Sequence, residues 1–292
     1  MKRLPEKEST KPRVLVVAGS DSGGGAGIQA DIKTITMLGG FAMTAVTALT
    51  AQNTLGVEEV LPIEARFVAL QMKAVLSDIG ADAIKTGMLG SARVVEAVAD
   101  VCESSAFGIP LIVDPVMVAK GGARLLDKGA HDALVLRLLP LASLVTPNVP
   151  EAEVLTGMSI KTPRDLERAA DALLGLGPSA VLMKGGHLEG DTVVDVLRTA
   201  DGASHVFEGP RIVSRSTHGT GCTLASGIAA GVAEGLTLHG AVARARDYVV
   251  QAIRLAPGLG KGHGPLEFAH PLLALAQAVA TATDAPPMPL RH

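Results

Sequence analysis

Short apolar runs recur along this chain, and each empties into a glycine, a carboxylate, an amide or a lysine just before a helical stretch begins. The runs at 13–19, 41–50, 83–87, 110–114, 143–146 and 180–184 read as strands of the kind buried on both faces. Between them, 28–38, 64–77, 92–102, 130–138, the stretch opened by Asn148, and 163–174 have helical spacing. On the second of these helices Phe67, Leu70, Gln71, Ala74 and Val75 make one stripe, the expected core face. Alternation of this kind demands a mostly parallel sheet, because parallel neighbours need crossovers and those crossovers cover the faces. Toward the end, 191–199 and 205–208 read as an edge hairpin, and 221–234 and 238–255 as two closing helices. Neither a linker-like shift in composition nor an internal repeat divides the chain. One domain over 13–270 is therefore expected, after a flexible polar leader (1–12) and before a C-terminal extension (271–292) whose tail is expected to be disordered.

In open α/β sheets ligands gather at the carboxyl ends of strands, where this sequence places Gly19, Asp21, Gln52, Lys85, Asp114, Asn148 and Lys184. A second focus lies late, at Ser214-Arg-Ser-Thr-His-Gly-Thr-Gly-Cys-Thr-Leu-Ala-Ser226. Gly219 and Gly221 let successive backbone N–H groups point at one spot, and the helix that follows brings the positive end of its dipole to an anion. Cys222 falls in the first turn, where that field is expected to lower the thiol pKa. A phosphate-handling turn beside a proton acceptor is one reading; a glycine turn with a buried structural thiol is the other.

The remaining pieces divide in the same way. Gly25-Ala-Gly27-Ile-Gln-Ala30 matches a relaxed dinucleotide pattern, but the loop after Gly19 is too long and no acidic residue ends the second strand, which argues against a nicotinamide cofactor. There is no G-x-x-x-x-G-K-[ST] phosphate loop. Asp114-Pro115 is either a plain turn or a carboxylate for water-coordinated Mg²⁺. Asn148-x-x-Glu151 is a variant capping box that also presents its glutamate to the strand ends. Lys184, closing an apolar strand, suits a phosphate as a mobile point charge. His187 and His218 flank these loops and are expected neither as catalysts nor, lacking spaced partners, as zinc ligands. A formal net charge of -3, no Trp and one Tyr leave no nucleic-acid surface. No apolar run is long enough for a membrane span, and two cysteines fit a reducing, cytoplasmic setting.

Eight motifs in order carry a family resemblance. They are Ala18-Gly-Ser-Asp-Ser-Gly-Gly-Gly-Ala-Gly-Ile-Gln-Ala-Asp31, Ala48-Leu-Thr-Ala-Gln-Asn-Thr54, Lys85-Thr-Gly-Met-Leu89, Asp114-Pro-Val-Met117, Thr146-Pro-Asn-x-x-Glu-Ala152, Lys184-Gly-Gly-His187, Thr217-His-Gly-Thr-Gly-Cys222 and Gly262-His-Gly-Pro-Leu266. The chain thereby resembles the hydroxymethylpyrimidine/phosphomethylpyrimidine kinases of thiamine biosynthesis, in the ribokinase-like superfamily. The resemblance implies a three-layer α/β/α sandwich with a mostly parallel central sheet, and a cytoplasmic homodimer. It implies Mg²⁺-dependent transfer from ATP to the hydroxymethyl oxygen of 4-amino-5-hydroxymethyl-2-methylpyrimidine, then a second transfer giving the diphosphate.

By position, Gly19, Asp21, Ala26, Gln52, Met88 and Val116 would line the pyrimidine pocket. Asn148, Glu151, Lys184 and Thr220 would address ATP, with Asp114 and Glu151 toward the metal. Gly219, Thr220 and Gly221 would form the anion hole, and Cys222 would be the base where sugar and pyridoxal kinases generally have Asp. The alternatives are a pyridoxal/pyridoxine-type kinase on the same fold and a non-catalytic pyrimidine-binding protein. The joint presence of Lys184, Glu151 and Cys222 speaks against the second, since sensing needs none of them. Residues 120–123, rich in glycine, are a candidate lid.

Overall fold

A computed structural model describes residues 11–117, 128–273 and 275–276; the first ten positions, the candidate lid at 120–123 and the tail after 276 lie outside the described residues. Among the described residues nine strands form one sheet in the order β3-β2-β1-β4-β5-β6-β7-β8-β9. Its centre is β1 (Arg13–Asp21), β2 (Phe41–Asn53), β4 (Ala83–Thr86), β5 (Leu111–Val113), β6 (Leu144–Val145) and β7 (Ala180–Lys184), all in parallel pairs. The edges are antiparallel: β3 (Gly56–Pro62) folds back on β2, and β8 (Thr192–Thr199) with β9 (Ser204–Pro210) extends the sheet beyond β7.

Because side chains alternate along a strand, β1 feeds two cores at once. Leu15 and Val17 meet α2 (Ala65–Asp78), α3 (Ala92–Ser105) and α4 (Lys128–Ala133), whose chain continues through a π turn and a 3₁₀ turn to Leu141. Val14, Val16 and Ala18 meet α1 (Gly27–Met37), α7 (Thr220–Ala233) and α8 (Leu238–Arg254) on the opposite face. The helices α5 (Val149–Thr156) and α6 (Pro163–Leu174) cover the β6–β8 end, around Val181, Met183 and Val196. Helices thus sandwich a mostly parallel sheet, the expected three-layer α/β/α class. Gly227 and Gly231 let α7 and α8 meet closely: a Cβ on either would fall 3.0 or 2.8 Å from the Cβ of Ala245 or Ala241.

Two expectations are corrected. The second strand does not stop at residue 50; β2 runs on to Asn53 and turns into β3, an exposed edge strand whose charged residues hide its pattern. The stripe read on α2 is also rotated. Val68 and Met72 are the buried residues, and Gln71 and Val75 do face inward, whereas Phe67, Leu70 and Ala74 are exposed. Gln71 is held there by the backbone of β2, accepting from the Val46 N–H at 2.9 Å and donating to its carbonyl at 3.1 Å.

Candidate active site

The site forms where the loop after β1 meets the entry to α7. Asp21, ending β1 and buried, accepts from the Gly23 amide at 2.8 Å, Gly25 at 3.1 Å and Ala26 at 2.8 Å. His218 adds its Nε2 at 2.9 Å, joining a loop and a turn that lie 197 residues apart. Burial pushes the Asp21 carboxyl up, but the His218 and amide hydrogen bonds outweigh it and hold the group below its usual value. Asp21 therefore shapes the glycine loop from within. Gly219, at φ +84°, sits so close to this loop that a Cβ would lie 1.8 Å from the Gly25 carbonyl oxygen, a contact only glycine permits.

His218 is more central than the sequence suggested, because its Nε2 also lies 3.2 Å from the Gln52 side-chain amide. Since Nε2 must carry a proton to reach the Asp21 carboxylate, Gln52 fits best with its oxygen toward His218 and its NH₂ on Thr50. Met88, half-buried, lies with its methyl carbon where a Gly19 side chain would begin, 2.3 Å from that Cβ position. Gly19, Asp21, Ala26, Gln52, Met88 and His218 are thus gathered at one rim. Val116 stands two residues past Asp114, in a turn closed by its own amide on the Asp114 carbonyl at 2.8 Å. His187 is exposed on the loop after β7.

Opposite this rim, the Lys184 ammonium donates to Asp114 Oδ1 at 2.9 Å and stands 4.0 Å from Glu151 Oε2. Thr146 donates to the same Asp114 oxygen at 3.1 Å. The capping box is real: Asn148 accepts from the Glu151 amide at 2.9 Å, and Glu151 accepts from the Asn148 amide at 2.8 Å. One glutamate therefore both caps α5 and faces the lysine. Burial raises Glu151 to about 7, with Lys184 only partly offsetting it, while Asp114 is held low because Lys184 and Lys85 outweigh its burial. Gly221 faces this cluster; a Cβ there would lie 3.4 Å from Lys184 Nζ and 3.6 Å from Asp114 Oδ2. No side chain caps α7 and its first turn has no acidic residue, so its leading amides face the cluster open.

The expected depression of the Cys222 thiol is overturned. Burial pushes it up to about 11, against the pull of Lys85 and a hydrogen bond from the Gly27 amide. Half-buried, the side chain packs against Ala30, Ala252, Leu266 and Phe268, and this hydrocarbon outweighs the helix terminus.

A feature absent from the sequence reading is a strap. The Lys261 and Gly262 amides donate to Thr54 Oγ1 and the His263 amide to the Thr54 carbonyl, tying the strap to the β2–β3 turn. Gly264 donates to the Arg215 carbonyl and its own carbonyl accepts from the His218 amide, joining the strap to the α7 entry. Beside it opens a cleft of about 390 Å³ lined by Val213, Arg215, Arg254 and Leu259 among others. Its signal in the sequence is the Gly262-His-Gly-Pro-Leu266 motif and the glycines between 258 and 264, neither of which says what the segment binds.

A model of a known family, described as phosphomethylpyrimidine kinase, matches residues 21–267, covering both glycine turns, the lysine cluster and the strap. The chain belongs to the phosphomethylpyrimidine kinase family. Members are phosphotransferases, and so is this chain. It is 55% identical over 254 residues to the thiamine biosynthesis bifunctional protein ThiED of Geobacter sulfurreducens, covering 87% of this chain and 51% of that protein. It spans about half the length of that relative. With the hydroxymethylpyrimidine/phosphomethylpyrimidine kinase of Haemophilus influenzae it shares 46% identity over 260 residues, 88% of this chain and 96% of the other. Among solved structures, an ADP complex of Bacillus subtilis pyridoxal kinase superposes with a TM-score of 0.82 at 33% identity, over 90% of this chain and 99% of that one.

Proposed function

We propose that the chain phosphorylates the hydroxymethyl group of 4-amino-5-hydroxymethyl-2-methylpyrimidine with ATP, and then the monophosphate to the diphosphate, for thiamine biosynthesis. The observation that carries this reading is the meeting of an uncapped helix terminus with a lysine–carboxylate cluster, beside a rim of polar and apolar side chains. Gln52 offers both a donor and an acceptor to an aminopyrimidine, and Gly19, Ala26, Met88 and Val116 supply apolar walls. The Gly219–Gly221 amides face the phosphoryl group in flight, where open donors stabilise charge that develops only in the transition state. Lys184, held by Asp114, brings the neutralising cation, and Asn148 and Thr220 join it on the phosphates. The cleft between the strap and the α7 entry takes the nucleoside end of ATP.

Among the described residues no three His, Cys, Asp or Glu side chains form a preset metal cage. Two buried carboxylates, Asp114 and Glu151, flank the phosphate position, and such a donor set fits Mg²⁺, which keeps most of its waters. Bound there with ATP, the ion would neutralise phosphate charge. Cys222 receives the hydroxymethyl proton. The reading includes one domain over 13–270, a cytoplasmic location and a homodimer. Supporting the last, Leu49, Val60 and Leu61 on the β2–β3 hairpin and Phe67 and Leu70 on α2 are exposed apolar side chains. Among the described residues no helix is long and apolar enough to cross a membrane.

The test is ADP release by the purified chain with the pyrimidine alcohol, its monophosphate and pyridoxal offered separately; the fold shared with pyridoxal kinase makes the third the informative competitor. The first two are expected to drive turnover above pyridoxal, and preference for pyridoxal would refute the reading. Cys222→Ala is expected to keep pyrimidine binding and lose at least ~10²-fold in turnover. Cys222→Asp, carrying a group already ionised at neutral pH, is expected to flatten the alkaline rise in rate that a thiol at about 11 imposes.

A further inference from the structure

Three of the fully buried polar side chains lie together beneath the site: Lys85 on β4, Asp31 on α1 and Ser226 on α7. A strand in an apolar core ordinarily carries hydrocarbon at such a position, since burying a charge costs several kcal/mol before its partner compensates. Here Lys85 Nζ donates to both Asp31 oxygens at 3.0 Å, and Ser226 Oγ donates to Asp31 Oδ1 at 2.5 Å. Gly87 leaves room for the ammonium, since a Cβ there would lie 3.0 Å from Nζ and 3.1 Å from the Ala18 Cβ. A bare stabilising pair needs no particular neighbour.

This one has a particular neighbour. The helices α1 and α7 run side by side in matched register. Gly27, at the head of α1, acts on the Cys222 thiol in the first turn of α7, and one turn further along both helices Asp31 receives Ser226. The Lys85 ammonium therefore rises from the sheet floor to the level of Ser226, one turn along α7 from Cys222. Four charged groups act on the sulfur: Lys85 from β4, Asp31 from α1, Asp114 from the end of β5 and Lys184 from the end of β7. Lys85 exerts the largest pull among them and opposes the two carboxylates. In return Cys222 and both carboxylates hold Lys85 well above its usual value against the effect of burial, so it stays charged.

We propose that Lys85 is a positioning residue for phosphoryl transfer: locked by Asp31 and Ser226, its ammonium supplies the fixed charge that allows Cys222 to become a thiolate. The inference rests on Cys222 as the proton acceptor, and it names what lets a sulfur so placed ionise at all. The substrate O–H bond breaks and its proton ends on the sulfur, while the oxygen forms its bond to the γ-phosphorus and the bond from that phosphorus to the bridging oxygen breaks, ADP leaving with the electron pair.

The test reads the thiol in the ligand-free full chain, by the rate at which iodoacetamide alkylates Cys222 at pH 8, resolved by peptide mass from the buried Cys102. In Lys85→Met/Asp31→Asn, which removes both charges and leaves neither unpaired, the rate is expected to fall about tenfold, one pH unit of thiol pKa. The alkaline limb of the turnover profile is expected to move up by a similar interval, which a merely structural pair would not do. Lys85→Met alone is expected to match the double variant, because an Asp31 stranded in the core takes up a proton. Ser226→Ala, which keeps the pair and serves if the charge variants do not fold, is expected to slow alkylation about two- to threefold through a less firmly held Asp31. Folded double variant or Ser226→Ala alkylating at the parental rate would overturn the proposal. Slower alkylation with unchanged turnover would overturn it from the other side, since the assignment of Cys222 as acceptor has then failed and not the charge coupling.

Discussion

Gly219→Ala is the substitution on which the site geometry can be most sharply judged. The added Cβ would lie 1.8 Å from the Gly25 carbonyl oxygen and 2.9 Å from its carbon, and both neighbours are backbone atoms that no side-chain rotation can clear. Separations under 3.0 Å are essentially never seen for real Cβ atoms, so the loop and the turn must part by more than an ångström. The left-handed φ of +84° adds about 1–2 kcal/mol for any residue with a Cβ. Gly235, at φ +93° beyond the other end of α7, is the matched control, because nothing lies within 4 Å of its Cβ position. Both variants are expected to lose the stability that the left-handed φ costs, and Gly219→Ala more because of its clash, read by denaturant unfolding. Only Gly219→Ala is expected to lose turnover, by about 10²-fold, the usual consequence of misplacing reacting groups by an ångström. Coupled ADP release at saturating ATP measures it. A Gly219→Ala enzyme within threefold of the parental rate would refute the claim that these two backbones set the position of the phosphoryl group.

Two more predictions concern titrating groups. Glu151 is raised to about 7 by burial, so below that pH the free enzyme holds it protonated, and the apparent affinity for Mg²⁺ in the ADP-release assay is expected to weaken by up to tenfold per pH unit; Glu151→Gln is expected to abolish that slope. Asp21 is shifted the other way: its folded value lies below its unfolded one, so its contribution is present above about pH 4 and lost as pH falls through the folded value. Asp21→Asn is accordingly expected to cost about 2–3 kcal/mol at pH 7 by stranding loop amides, with the gap to the parent closing in acid, as measured by urea unfolding across pH.

Much of the fold was legible because its signals are local. The strand at 180–184 and the helix at 163–174 came out at the residues observed, since an unbroken apolar run and a proline after a capping threonine need no tertiary information. The Asn148–Glu151 box was legible for the same reason. What escaped was set by neighbours distant in sequence. The α2 stripe came out rotated because Phe67 and Leu70 are apolar yet face outward. Asp21 looked like a ligand-facing carboxylate and proves to be filled by its own loop and by His218, a partner no spacing rule connects to it. The direction of the Cys222 shift was missed because a helix terminus is visible in sequence, whereas the Ala30, Ala252, Leu266 and Phe268 wall is assembled from three separate segments.

The strap has a consequence for biosynthesis. The first glycine loop and the Thr54 turn, both made early, are held together in part by late residues: His218 on Asp21, and the Lys261–His263 amides on Thr54. A nascent chain therefore displays a half-built rim for most of its synthesis, and the two ends of the message must both be read before any nucleotide can be gripped. Chains cut short before that late stretch are expected to release no ADP.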